Sequence, residues 1–199
     1  MCSSDLAALD VEVLPALRRL LRGVLAERTV VLVTHDPLDA LLLADRVAIV
    51  EAGSVVESGP TREVMRRPRS AFAARLAGLN LLAGRWSQGR VVLPDGRRVH
   101  GLLDGEAPAE GAAVVAAFRP TAVAVFVASA GDADAEAGSP RNVFAARIEE
   151  VEPHGDVVRV RAGDLAADVT VQAAADLALA PGDPVSLRVK ATEVAVYAI

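Results

Sequence analysis

The chain has little cysteine, few aromatic side chains and no long apolar run. Its single cysteine, Cys2, cannot form an internal disulfide, which is typical of proteins from a reducing compartment. Aromatic residues make up 3% of the 199 residues, so a core must be built mainly from Ala, Val and Leu. The longest apolar stretches, residues 112–118 and 122–128, are far shorter than the ~20 residues of a membrane-spanning helix. We therefore expect any membrane association to occur through a partner.

Positive charge is also scarce. The formal net charge is -5 at pH 7, which argues against nucleic acid as a partner, because neutralising phosphates requires clustered Lys and Arg. The one basic cluster, at residues 62–69, is typical of a solvated helix face. His35, His100 and His154 are too scattered to form a metal site or a nucleophile–base pair. Hydrolase, redox and metal-binding functions are therefore not indicated.

Residues 11–78 alternate between helical and strand patterns. Apolar spacing predicts helices over 11–27 and 37–44, and a further helix from Thr61, with Thr61 as a possible N-cap. The run 29–34 (TVVLVT) is unbroken and rich in β-branched residues, as in a strand buried on both faces of a parallel sheet. Shorter strands are expected at 46–50 and 54–57. This alternation predicts an α/β fold.

From Leu79 onward, short Val-rich runs alternate with Gly- and Asp-containing turns, which predicts small all-β, OB-like barrels. We expect a first barrel unit over 79–126 and a second over 139–199. Residues 127–138 are small and acidic, as in a flexible linker. The endings of the two units, 111–125 and 182–196, share a pattern that indicates a weak internal repeat.

Four segments resemble, in order and spacing, the end of an ABC-type P-loop ATPase domain: LAALD (6–10), VTHD (33–36), ADRV (44–47) and GSVVESG (53–59). The resemblance implies that Asp10 lies in the D-loop, which meets the partner subunit across the ATP sandwich. It also implies that His35 is the switch histidine, which contacts the γ-phosphate. The plainer interpretation is that His35 is an ordinary histidine at a strand end and that Asp10 and Asp36 cap helices.

Several parts of that domain are missing. The chain has no Gly-rich loop ending in Gly-Lys-Ser/Thr, no signature motif and no glutamine loop. Where the resemblance implies an acidic pair for Mg²⁺ and the attacking water, the chain has Ser3, Ser4 and Asp5. ATP and Mg²⁺ are thus expected in an intact protein but not on this fragment, which should be inactive alone. The match begins abruptly at Leu6, which favours truncation over a naturally inactive ATPase. We also expect residues 11–78 to be unstable alone.

A second resemblance covers residues 139–199. The segments SPRNVF (139–144), DVT (168–170), LALAPGD (177–183) and VKATEV (189–194) are similar to the molybdate-binding barrel called TOBE or Mop-like. It implies that a tetrahedral dianion is bound by charge, hydroxyls and backbone amides. The implied oxyanion-binding residues are Ser139, Arg141, Asn142, Thr170, Lys190 and Ala191. Two departures weaken the match: Ala173 replaces a common serine, and Pro140 removes an amide donor. The plainer interpretation is surface charge on a barrel that only regulates or dimerises.

Together these resemblances imply the ATP-binding subunit of a bacterial ABC importer, with molybdate or tungstate as cargo and as ligand of the barrels. The implied partners are the membrane-spanning subunits and a second copy of the chain, at the cytoplasmic face of the plasma membrane. One alternative is an importer for sulfate, polyamine or iron. Another is a non-catalytic molybdate-binding module.

Overall fold

The computed structural model describes residues 16, 19–25, 27–127 and 139–199. The chain divides into two compact units, Met1–Ala77 and Gly78–Ile199, which we call the N-terminal and C-terminal units. The predicted linker lies almost entirely outside the described residues. Across the described ranges, no helix is both long and apolar enough to cross a membrane.

The N-terminal unit combines short helices with one hairpin. Residues 19–25 are helical, and the remaining elements follow in the order α1 (Pro37–Leu43), β1 (Arg46–Glu51), β2 (Ser54–Pro60), α2 (Thr61–Arg66) and α3 (Ala71–Leu76). Strands β1 and β2 pair antiparallel, and Gly53 takes a positive φ of 79° in the turn between them. A small core of Ile49, Val64 and Ala73 lies between the hairpin and the helices. The predicted hairpin and the helices predicted over 37–44 and from Thr61 are confirmed. Of the helix predicted over 11–27, residues 19–25 are helical, and several of its other residues lie outside the described ranges.

The strand predicted over residues 29–34 does not form. These residues belong to no regular element, and Val31 and Val33 are 90% and 93% exposed. A strand buried on both faces needs a neighbouring strand on each edge and packing on each face. Among the described residues, the only sheet of this unit is the two-stranded β1–β2 hairpin, which does not pair with this run. The prediction of a buried strand is therefore wrong for this chain.

The N-cap predicted at Thr61 is also wrong. Thr61 lies inside α2, and the helix begins after Pro60 without a side-chain cap. The Thr61 hydroxyl instead donates to the carbonyl oxygen of Ala44 at 2.7 Å. Its role is to join the start of α2 to the end of α1.

Glu57 fixes the start of α3. Its side chain is 9% exposed, and its two carboxylate oxygens accept from the backbone amides of Arg69 and Ser70, both at 3.0 Å. The Ser70 hydroxyl donates to the same carboxylate at 2.9 Å and caps the helix by accepting from Ala73 N. These bonds compensate the buried charge of Glu57.

The C-terminal unit is built from strands. In chain order its elements are β3 (Asn80–Ser87), β4 (Arg90–Val92), β5 (Arg98–Val99), β6 (Leu102–Leu103), β7 (Ala113–Phe118), a 3₁₀ turn (Pro120–Ala122), β8 (Ala124–Val127), β9 (Asn142–His154), β10 (Val157–Ala162), β11 (Leu165–Thr170), α4 (Val171–Asp176), β12 (Pro184–Val189), a second 3₁₀ turn (Ala191–Glu193) and β13 (Ala195–Ala198). The six-stranded sheet has the order β5-β4-β3-β7-β13-β6, and the five-stranded sheet has the order β11-β10-β9-β12-β8. An α/β fragment followed by an all-β, barrel-like unit is the predicted fold class, which is confirmed.

The two halves of this unit exchange their last strands. Strand β8 follows β7 in the chain but pairs with β12 in the five-stranded sheet. Strand β13 follows β12 but pairs with β7, in the six-stranded sheet. The hydrogen bonding of the predicted units 79–126 and 139–199 is thus interleaved, and one hydrophobic core draws on both halves, for example through Val99 and Leu187.

Two buried asparagines occupy corresponding positions in the halves. Asn80 begins β3. Its side-chain amide donates to the carbonyl oxygen of Ala166 at 2.9 Å and accepts from the backbone N–H of Ala166 at 2.8 Å. Asn142 begins β9. Its side-chain amide accepts from the backbone N–H of His100 at 2.7 Å and donates to the carbonyl oxygen of His100 at 2.9 Å. Each side chain bonds to the backbone of the opposite half. The internal repeat therefore includes the contacts between the two halves.

Candidate functional site

The two 3₁₀ turns are the crossovers by which the chain passes from one sheet to the other. The first, Pro120–Ala122, follows Arg119, and the second, Ala191–Glu193, follows Lys190. The backbone angles of Arg119 (φ -79°, ψ 145°) and Lys190 (φ -70°, ψ 141°) are nearly the same. The turns therefore place one cation at the same point of each crossover.

A cavity of about 350 Å³ lies at these crossovers. Residues of both halves line it, and its lining is Arg119, Thr121, Ala122, Ala124, Pro140, Arg188, Lys190 and Glu193. Arg119 and Lys190, the cations that precede the two turns, therefore line the same cavity. We call this the crossover cavity.

The crossover cavity is electropositive. It is lined by three cationic side chains and one carboxylate, that of Glu193, in a chain whose net charge is negative. Within the described part of the chain, neither Arg119 nor Lys190 makes an ion pair or a side-chain hydrogen bond. Arg188 is half-buried: its guanidinium lies 4.3 Å from the centroid of the Phe126 ring, and its Nε donates to Ser186 Oγ at 3.3 Å. The cavity therefore has positive charge available to an anion.

Only part of the predicted oxyanion set lines this cavity. Lys190 lines it, and so does Pro140, which lies between the exposed residues Ser139 and Arg141. Ser139, Arg141 and Thr170 are not among the lining residues. Strand β11, which ends at Thr170, packs against the first crossover turn.

Asn142 has a structural role in this fold. It is 0% exposed, and both polar atoms of its side chain bond to the His100 peptide. Its side chain is therefore not available to a ligand, and only its backbone amide remains for the predicted oxyanion role. Ala191, the first residue of the second crossover turn, is half-buried and offers backbone alone.

Thr170 caps helix α4. Its Oγ1 accepts from the backbone amide of Ala173 at 3.1 Å, and the hydroxyl keeps its proton for donation. Ala173, at the position where a serine was expected, thus contributes its amide to the cap. Two residues before Thr170, Asp168 forms a two-bond ion pair with Arg159, at 2.7 and 2.8 Å. These hydrogen bonds raise the pKa of Arg159 and fix the strand that carries Thr170.

Of the two residues predicted for nucleotide chemistry, His35 is the one that lies among the described residues. His35 is exposed, in a bend that precedes α1. Asp36 is the N-cap of that helix, and its carboxylate accepts from Leu38 N at 2.7 Å. Asp10 lies outside the described residues. In the ranges that the structure describes, no group of three or more His, Cys, Asp or Glu side chains could hold a metal ion.

The sequence interpretation missed Arg119 and Arg188. The signal for Arg119 was the internal repeat, which aligns it with Lys190. Arg188 lies on β12, and Lys190 follows the end of that strand in an extended conformation, so the two side chains point to the same face. The sequence of the first half shows no charge constellation of its own, so Arg119 was assigned to a closing strand and not to a site.

Comparison with known proteins gives consistent matches. The TOBE domain model matches residues 138–196. The molybdenum import ATP-binding protein ModC of Mycobacterium tuberculosis is 41% identical over 99% of this chain and 54% of its own length. The molybdate/tungstate import ATP-binding protein WtpC of Pyrococcus horikoshii is 29% identical, over 85% of this chain and 47% of its own.

Among solved structures, the molybdate-binding protein ModG, crystallised with molybdate bound, aligns with a TM-score of 0.50 and 21% identity. The alignment covers 60% of this chain and 96% of that one, and supports the fold. The chain spans about half the length of the curated relatives it matches. These matches support a C-terminal fragment of the ModC type that includes a TOBE domain.

Proposed function

We propose that this chain serves molybdate import as part of an ATP-binding subunit, and that its C-terminal unit senses the oxyanion. The observation that carries the proposal is the electropositive crossover cavity beside the SPRN and VKAT segments. The names of the relatives support molybdate or tungstate as the anion. In the intact protein, oxyanion bound to this unit biases the ATPase dimer, which is a coupling between two separate sites.

A tetrahedral dianion needs positive charge and several hydrogen-bond donors. Lys190 and Arg141 supply charge, and an arginine can donate two parallel bonds to one anion. Ser139 and Thr170 supply hydroxyls, and the amides near Asn142 and Ala191 complete the set. Ser139, Arg141 and Thr170 do not line the crossover cavity, so they act at its rim or on an anion shared with a second copy of the chain.

ATP does not fit the residues of this chain. The phosphate loop is absent from the sequence, and the described region around His35 is exposed and lacks the predicted strand. When bound in the intact subunit, ATP with Mg²⁺ supplies the energy for transport. The partners of the intact protein are the membrane-spanning subunits and a second copy, on the cytoplasmic side of the membrane.

The test is isothermal titration calorimetry on the full chain with molybdate, tungstate and sulfate, repeated with Arg141→Ala. We expect molybdate and tungstate to bind, sulfate to bind much more weakly, and Arg141→Ala to weaken molybdate binding by roughly 10-fold or more, as expected for a charged hydrogen bond. Arg98→Ala is the matched control, because Arg98 is exposed on β5 and outside the cavity.

Binding of sulfate as tight as that of molybdate would transfer the proposal to another oxyanion importer. Absence of any oxyanion binding would remove the sensing role.

A second candidate is a non-catalytic molybdate-binding module. The alignment with nearly the whole of a molybdate-binding protein favours it. Sequencing the DNA upstream of the Met1 codon separates the two: an in-frame phosphate loop there supports the importer subunit, and its absence supports the module.

A further inference from the structure

We propose that Arg119 and Arg188 bind the oxyanion together with Lys190, at the point where both crossovers meet. This rests on the proposed function and extends it, because neither arginine belongs to the family pattern of residues 139–194. Both halves of the C-terminal unit then contribute ligands to the site, whereas the family pattern draws on the second half alone.

The first argument is equivalence. Arg119 and Lys190 each precede a 3₁₀ turn, in nearly the same backbone conformation, and both line the crossover cavity. An anion bound there has one cation from each half. The exchange of β8 and β13 brings these positions together, since each turn carries the chain from its own sheet into the other.

The second argument is charge. Three cations around one cavity repel one another, and Glu193 can offset only one of them. Within the described residues no ion pair compensates Arg119, Arg188 or Lys190. The remaining two positive charges match a dianion such as molybdate, so binding it replaces the mutual repulsion with attraction.

The third argument is the orientation of Arg188. Its guanidinium lies over the Phe126 ring, 4.3 Å from the centroid, and donates through Nε to Ser186. These contacts restrict the side chain and leave both terminal NH₂ groups without a partner among the described residues. A guanidinium held in this way loses less conformational freedom on binding and presents a planar edge to the anion.

The experiment measures molybdate binding by calorimetry on the full chain for Arg119→Gln, Arg188→Gln and Arg98→Gln. The first two variants should each weaken binding by roughly 10- to 100-fold, the range for a charged hydrogen bond, and the control Arg98→Gln should bind like the unmodified chain. Arg188→Lys should retain part of the affinity, because it keeps the charge and loses the planar fork.

A thermal melt of each variant monitors folding. Trp86 is the chain's single tryptophan and packs against the core of the C-terminal unit, so its fluorescence reports that unit. Arg119 is exposed and without a side-chain partner in the described structure, so Arg119→Gln should melt at the unmodified temperature.

The outcomes separate the two proposals. If Arg119→Gln and Arg188→Gln bind molybdate as tightly as the unmodified chain while Arg141→Ala loses binding, the two arginines are not ligands and the proposed function stands. If the unmodified chain binds no oxyanion, both proposals are overturned. Loss of binding in the folded Arg119→Gln and Arg188→Gln variants supports the shared site.

Discussion

The two units bury similar sequences to very different extents. In the N-terminal unit, Val31 and Val33 belong to an unbroken apolar run and are 90% and 93% exposed. In the C-terminal unit, Val160 and Leu187, in comparable Val-rich strands, are both 0% exposed. The difference comes from the strands available for pairing, because apolar residues stay buried only where neighbouring strands and a covering layer exist. Hydrophobicity alone therefore does not identify a core strand.

The strongest test of this comparison is the pair Leu187→Ala and Leu41→Ala. Leu187 is at the centre of the core, and its truncation should lower the free energy of unfolding of the C-terminal unit by about 2–5 kcal/mol. Leu41 is 42% exposed on α1, and its truncation should change stability by less than about 0.5 kcal/mol. Guanidinium unfolding followed by Trp86 fluorescence and by circular dichroism measures both. Equal effects would show that the exposed apolar residues of the N-terminal unit are packed after all.

A smaller effect tests whether the halves of the C-terminal unit are equivalent. Asn142→Ala leaves the amide and carbonyl of His100 without their partners, and Asn80→Ala does the same to Ala166. Each variant should lose about 1–3 kcal/mol of stability in urea unfolding, the cost of unsatisfied buried polar groups. Gln172→Ala, on the exposed face of α4, is the control and should lose little. A large loss for one asparagine alone would contradict the equivalence.

The smallest effect is a pH dependence in the first half. The Glu110 carboxylate accepts from Ser87 Oγ at 2.6 Å and from Gln88 N, and these bonds lower the pKa of Glu110 below its ordinary value of 4.5. A lowered pKa in the folded state contributes stability above the ordinary value, and this contribution disappears as the pH falls through the folded-state pKa. Urea midpoints measured from neutral pH to roughly pH 3 should fall less steeply for Glu110→Gln than for the unmodified chain. Parallel curves would show that these bonds do not persist in solution.

Local patterns predicted much of this fold. The hairpin over β1 and β2, helix α1 and the strand-rich texture after Leu79 follow from side-chain periodicity and turn residues. The repeat of residues 111–125 in 182–196 corresponds to the same series of strand, 3₁₀ turn and strand. The exchange of β8 and β13 could not be predicted in this way, because the pairing partners are far apart in the chain and local sequence does not encode the choice.

The candidate site was predicted less completely. Lys190 does line an electropositive cavity, whereas the Asn142 side chain hydrogen-bonds to the backbone of His100 in the opposite half. The resemblance names Asn142 as a site residue, but the sequence does not show whether its side chain faces a ligand or a backbone group. Arg119 was not predicted as a site residue because two other cations that line the cavity, Arg188 and Lys190, come from the other half. Their grouping follows from the exchange of strands and not from the local sequence.

The position of β13 has a consequence for how the protein is made. Its four residues, Ala195–Ala198, form an inner strand that pairs with β7 on one side and β6 on the other. These residues are synthesised more than a hundred positions after Asn80, where the sheet begins, and they complete that sheet. The first half therefore cannot reach its final form until β13 has left the ribosome, and a cut before β13 would remove an inner strand of the sheet.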